Sequence, residues 1–205
     1  MVKDRYLDPY RQSEAQYGSS FEVTLWANET AQKLRFDIFT QMCDLSGKRI
    51  VDAGCSRGDL AAYLLDRSVD FESYMGVDGL SDVIAFAEQR NLPRCSFHAG
   101  DFLVEPELLS VSNPQVICIS GSLNTMTDKQ VLTALESAWA ATDETLLFNF
   151  LPDLARLQAP QQTSPARRLN ALRLIRWATG RSGRMVYRQD YFRHGHDATI
   201  KMSKS

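Results

Sequence analysis

The feature that most constrains this chain is the run Arg49-Ile-Val-Asp-Ala-Gly-Cys-Ser-Arg-Gly-Asp-Leu60, with Asp78 twenty residues after Gly58. A β-rich apolar segment that enters a glycine turn and then a helical pattern opens a βαβ unit. That unit implies a parallel sheet covered by helices. Gly54 allows close backbone approach to a ligand, and Gly58 allows close packing of helix on strand. Asp78, at the tip of the next strand (Ser73 to Val77), is placed to accept hydrogen bonds from vicinal ribose hydroxyls. Gly100-Asp101-Phe102 closes a third strand, Cys95 to His98. Together these parts suit an adenosine-containing ligand.

The rest of the chain keeps the alternation of strand and helix. A polar arm runs to about Leu25. Asn28 is placed as the N-cap of a helix with Ala31, Leu34, Ile38, Phe39 and Met42 at helical spacing. Ser81 and Asp128 read as caps of two later helices. Gln115 to Ile119 is a continuous apolar run, as a central strand covered on both faces requires. Glu144 to Phe150 is a fifth strand. Three prolines between 152 and 165 mark an ordered loop or lid, and Ser164-Pro165 reads as the start of a basic helix ending near Gly180. Arg184 to Phe192 and Asp197 to Lys201 form a hairpin around His194-Gly195-His196. The expected organisation is one domain over 1–205: an arm and helix over the cofactor (1–45), a cofactor-binding core (46–153), and a basic helix with a C-terminal hairpin (154–205).

The glycine pattern discriminates among adenosine ligands. A nicotinamide fingerprint reads GxGxxG, whereas this turn reads Asp52-x-Gly54-x-Ser56-x-Gly58, and no Tyr-x-x-x-Lys pair is present. An acid at the end of the first strand disfavours a pyrophosphate and suits the cationic amino-acid end of S-adenosyl-L-methionine. Over roughly Leu45 to Pro152 the sequence resembles the class I S-adenosylmethionine-dependent methyltransferases. Asp52-Ala-Gly-Cys55-Ser56-Arg-Gly58 is similar to the motif that wraps the methionine moiety, and Gly76-Val-Asp78-Gly79 to the ribose-binding position. Ala99-Gly-Asp101-Phe102 is similar to the adenine-binding segment. Cys118-Ile-Ser120-Gly121-Ser-Leu123 is similar to the strand-four motif beside the transferred methyl group. A narrower likeness, to uncharacterised bacterial members, rests on Trp26, Gln32, Arg35-Phe36, Asn124 and Asp190-Tyr191; it places Trp26, Arg35, Gly121 and Asn124 near the acceptor. Ser56 departs from the family's usual glycine.

The resemblance implies an α/β, Rossmann-like three-layer sandwich whose seven-stranded, mostly parallel sheet has an antiparallel last strand. It implies methyl transfer by in-line displacement, and it names no catalytic residue. The lack of an Asn/Asp-Pro-Pro-Tyr/Phe motif after the fourth strand disfavours base amines as acceptors. The lack of an added recognition domain favours a small molecule. An RNA or protein acceptor, or a non-catalytic S-adenosylmethionine-binding protein, remains as the alternative.

Charge sharpens the choice of partner. The overall net charge is -2, yet residues 1–153 sum to -11 and residues 154–205 to +9, with nine arginines between Arg156 and Arg193. Arg167, Arg168, Arg173 and Arg176, read on one helix face, form either an anion-binding surface or an internally paired one. The four cysteines have no metal or disulfide spacing, and Cys55 has no histidine partner for nucleophilic work. No metal site is expected. His98 reads as structural and His194 and His196 as hairpin-loop residues, with a general base among the three as the minor reading; Tyr10, Tyr17 and Trp26 serve equally as a lid or as packing. No h-region and no apolar run near the ~20 residues of a membrane span is present, so a cytoplasmic protein without membrane contact is expected.

Overall fold

A computed structural model describes residues 5–204. Seven strands form one sheet: β1 (Arg49–Ala53), β2 (Ser73–Asp78), β3 (Cys95–Ala99), β4 (Val116–Ile119), β5 (Thr145–Phe150), β6 (Arg184–Arg188) and β7 (Ala198–Ser203). The order is β3-β2-β1-β4-β5-β7-β6, with β7 antiparallel to both neighbours and the first five strands parallel. This is the expected Rossmann-like sandwich.

Strand alternation builds the two outer layers. Ile50, Val116, Cys118 and Leu147 face one side. There α2 (Glu29–Met42), α3 (Asp59–Asp66) and α4 (Ser81–Gln89) bury Phe36, Phe39, Leu60, Leu64 and Ile84. Val51, Ile117, Ile119, Leu146 and Phe148 face the other, against Val131 and Leu135 of α5 (Asp128–Ala141) and Leu174 and Trp177 of α6 (Ala171–Thr179). α1 (Asp8–Tyr17) and a short 3-10 turn at Phe21–Thr24 carry the N-terminal arm back over the strand tips. Among the described residues no helix is long and apolar enough to cross a membrane.

Asn28 caps α2 as expected, its side chain accepting from Ala31 N–H. Other boundaries differ. Helix α4 begins after Leu80, whose N–H is taken by the Asp78 carboxylate, so Ser81 is not the cap. Thr127 caps α5 in a capping box with Gln130, one residue before Asp128. The basic helix starts at Ala171, not at Pro165, because Leu169 pairs with Pro152 in an isolated bridge and Asn170 supplies the cap at Arg173 N–H. Arg167 and Arg168 therefore precede the helix, and the four arginines share no helix face. Two of the four, Arg167 and Arg173, share the Asp128 carboxylate; farther along the chain Arg181 pairs with Glu136 and Arg188 with Asp190.

One ion pair joins the two ends of the chain. Arg35 of α2 donates from Nε to Asp197 Oδ2 at 2.6 Å and also pairs with it through Nη2. The residues are 5% and 1% exposed. Breaking a buried pair leaves an uncompensated charge, so Asp197→Ala is expected to lower the unfolding free energy by about 3–5 kcal/mol in urea titrations. An Arg35→Met/Asp197→Leu double variant should lose much less.

Candidate functional site

The parallel sheet changes direction between β1 and β4, the place where open α/β sheets collect ligands at the carboxyl ends of their strands. There a cavity of about 350 Å³ opens. The β1 turn forms one wall. Gly54 has a φ of +82°, and a Cβ there would lie 1.9 Å from Ser122 Oγ, so only glycine lets the β1 and β4 loops approach this closely. Ser56 occupies the left-handed region (φ +47°), which a glycine would adopt with less strain.

The turn's backbone N–H groups are committed within the chain. Those of Gly54 and Cys55 donate to Val77 O at 2.8 and 3.1 Å, and that of Gly58 to Cys55 O. The N–H of Ser56 donates to Asp78 Oδ2 at 2.9 Å. A pyrophosphate would find few free donors here. Asp78 instead presents an oriented carboxylate on the cavity wall, held by Ser56 N–H on one oxygen and Leu80 N–H on the other. Burial pushes it up to about 6, opposed by these N–H bonds.

Gly79, Phe102, Ser120, Gly121 and Asn124 line the same cavity, as do Trp26 and Arg35. Asp52, Cys55, Gly58 and Asp101 lie behind the wall. Alternation turns Asp52 to the same face as Ile50, where Tyr74 donates to Oδ2, while Oδ1 is buried and unpartnered; burial pushes its carboxyl up to about 7. Cys55 is buried beside Gly76, and burial raises its thiol, the reverse of an activated nucleophile. Gly58 abuts the Phe97 ring. Asp101 Oδ1 accepts from Leu103 N–H at 2.9 Å and from the Tyr6 hydroxyl, while its Oδ2 is buried without a partner.

The wall also holds residues that the sequence offered only as a lid, Tyr10 and the proline-rich stretch, and others for which it gave no signal. Leu7 packs on Gly79, whose added Cβ would meet it at 2.8 Å. Tyr10 lines the cavity from α1, its phenol pushed up to about 12 by burial. Phe192 and His196 come from the β6–β7 connection, and 162–166 from the lid segment. Asn149, 1% exposed in β5, accepts from Gly121 N–H at 2.8 Å and donates to Ser120 Oγ at 3.1 Å. Asn124 donates to Gly121 O and accepts from Leu151 N–H. A polar residue in an otherwise apolar strand was the available clue to Asn149. Asn149→Ala is expected to cost about 1–3 kcal/mol by leaving the partly buried Gly121 N–H without its partner, measured by chemical denaturation.

No family model and no curated protein sequence matches the chain. Solved structures do match. Magnesium protoporphyrin IX methyltransferase (ChlM) from Synechocystis PCC 6803, with bound SAH, aligns at TM-score 0.64 and 14% identity over 100% of this chain and 98% of that one. DhpI in a SAM–HEP complex aligns at TM-score 0.69 and 12% identity, over 98% and 97%. Haemonchus contortus phosphoethanolamine N-methyltransferase 1, in complex with phosphoethanolamine and S-adenosylhomocysteine, aligns at TM-score 0.71 and 14% identity. That match covers 99% of this chain and half (50%) of the longer enzyme.

Proposed function

We propose that this chain, whose fold is that of the class I S-adenosylmethionine-dependent methyltransferases, binds S-adenosyl-L-methionine in the cavity and directs its methyl group to a small-molecule acceptor. The observation that carries this reading is Asp78. Its carboxylate is oriented by two backbone N–H groups and stands on the cavity wall, beside a turn with few donors left for a pyrophosphate.

The residues present fit the cofactor. Asp78 would accept from the ribose hydroxyls, and Phe102 would pack on the adenine. The buried, unpartnered Oδ2 of Asp101 lacks the donor that an adenine amine provides. A buried acceptor without a donor is costly, so such atoms mark where ligand groups belong. When bound, the cofactor supplies an electrophilic sulfonium methyl group. The chain's own part is positioning. Asn149 and Asn124 fix the Ser120–Gly121 loop, and Trp26 closes over Gly121, whose added Cβ would meet the indole at 2.5 Å. Holding reacting groups in line and excluding water can supply several kcal/mol of a barrier.

A small acceptor is supported by the enclosing walls. The N-terminal arm, the lid segment at 160–166 and Phe192 with His196 surround the cavity. Four of the nine C-terminal arginines, Arg167, Arg173, Arg181 and Arg188, pair with Asp128, Glu136 or Asp190, which reduces the basic surface open to a nucleic acid. The affinity for bulk RNA at low salt is therefore expected to be negligible in a filter-binding assay, and tight, steeply salt-dependent binding would favour an RNA acceptor.

Two further outcomes test the cofactor. S-adenosylhomocysteine should raise the melting temperature while NAD does not, and Asp78→Ala should abolish that rise. Because the Asp78 carboxylate accepts from the ribose and titrates near pH 6 in the free protein, its protonation opposes binding. Calorimetry should show S-adenosylhomocysteine affinity falling as pH drops below about 6, by up to about tenfold per unit. Asp78→Asn should bind weakly at every pH.

A further inference from the structure

We infer that the part of the cavity wall formed by Arg35 and His196 is an anion subsite that receives a monoanionic carboxylate of the acceptor; calling that ligand the acceptor rests on the methyl-transfer reading. Arg35 lines the cavity with its guanidinium held between two rings, 4.2 Å from the Trp26 centroid and 4.8 Å from that of Phe192. Three of its five N–H groups are used: Nε and Nη2 on Asp197, and Nη1 on Ala31 O at 2.8 Å. One N–H on each terminal nitrogen has no acceptor among the described residues. A guanidinium fixed on both faces and at one edge is pre-organised to offer those two donors to a planar anion.

His196 completes the site. Its ring lies on the cavity wall, 4.6 Å from Phe192. Nδ1 is sealed from solvent with no partner, and Nε2 has none within the protein. A buried N–H without an acceptor is the rarer of the two orphan states, so the neutral ring carries its proton on Nε2 and offers it outward. Burial and the nearby Arg35 and Arg168 charges hold the imidazole below its ordinary value, so it is neutral at pH 7.

The charge count selects a monoanion. Arg35 is balanced by Asp197, which also accepts from the Tyr191 hydroxyl at 2.6 Å. Arg168 is close enough to act electrostatically on both His196 and Asp197. Its side chain bonds only to the carbonyls of Pro152 and Pro160, with no carboxylate partner among the described residues. Arg168 therefore adds one uncompensated positive charge near this wall, from outside the cavity lining. Three outward donors and one net charge match a carboxylate better than a phosphate dianion.

Isothermal titration calorimetry with benzoate and its neutral isostere benzamide tests the subsite, with and without saturating S-adenosylhomocysteine. Benzoate is expected to bind at least tenfold more tightly than benzamide. His196→Phe, which keeps the stack on Phe192, should lose most of that preference while keeping the S-adenosylhomocysteine melting shift. His196→Gln, whose amide N–H stands near the lost Nε2–H, should recover part of it. Equal affinities, no binding of either probe, or a preference unchanged in His196→Phe would overturn the inference. Failure of S-adenosylhomocysteine alone to bind would instead remove the cofactor reading, and benzoate titrated without it would still decide the subsite.

Discussion

The buried pair between Arg35 and Asp197 is the constraint on which the assembled site depends. Neither charge could be left in the interior alone, so α2 must dock against the start of β7 for the protein to fold. That docking carries Trp26 towards the Gly121 loop and brings Phe192 and His196 to the same wall. Residues 162 positions apart are thus joined by one contact. The sheet alone would provide only the floor of the cavity.

The resulting cavity is polarised. Asp52, Asp78 and Asp101 stand at or just behind the tips of β1, β2 and β3, and burial in a poorly hydrated region raises the first two carboxyls. A cationic, hydroxyl-rich ligand relieves that arrangement. The other wall holds His196 and Arg35, which is paired with Asp197, and Arg168 lies near them. Opposite charge at the two ends suits two dissimilar ligands in one small volume: on the proposed reading, the cofactor at the tips of β1 to β3 and the acceptor beside the returns around β7.

The sequence was most legible where the structure is local. Arg49 to Leu60 folds as strand, turn and helix because its own pattern requires it, and Asp78 lies at a strand tip that alternation and spacing define. Phe102, Ser120 and Gly121 follow the same logic. What escaped was set by distant partners. Pro165 looked like a helix start, yet the pairing of Leu169 with Pro152 keeps that stretch extended until Asn170 can cap α6. Arg167 and Arg173 looked like a basic face, yet both turn to one carboxylate, Asp128, some forty positions earlier. Asp52 was expected beside the cofactor, yet strand parity turns it to Tyr74. His196 read as a hairpin-loop residue because nothing in a single sequence places the β6–β7 connection over the strand tips.

A crystal structure of the protein with S-adenosylhomocysteine tests the cofactor site most directly. The ribose hydroxyls are predicted on the Asp78 carboxylate, with the adenine beside Phe102 and its amine on the free oxygen of Asp101. A ligand seated elsewhere, or a cavity that stays empty at saturating concentration, would contradict it.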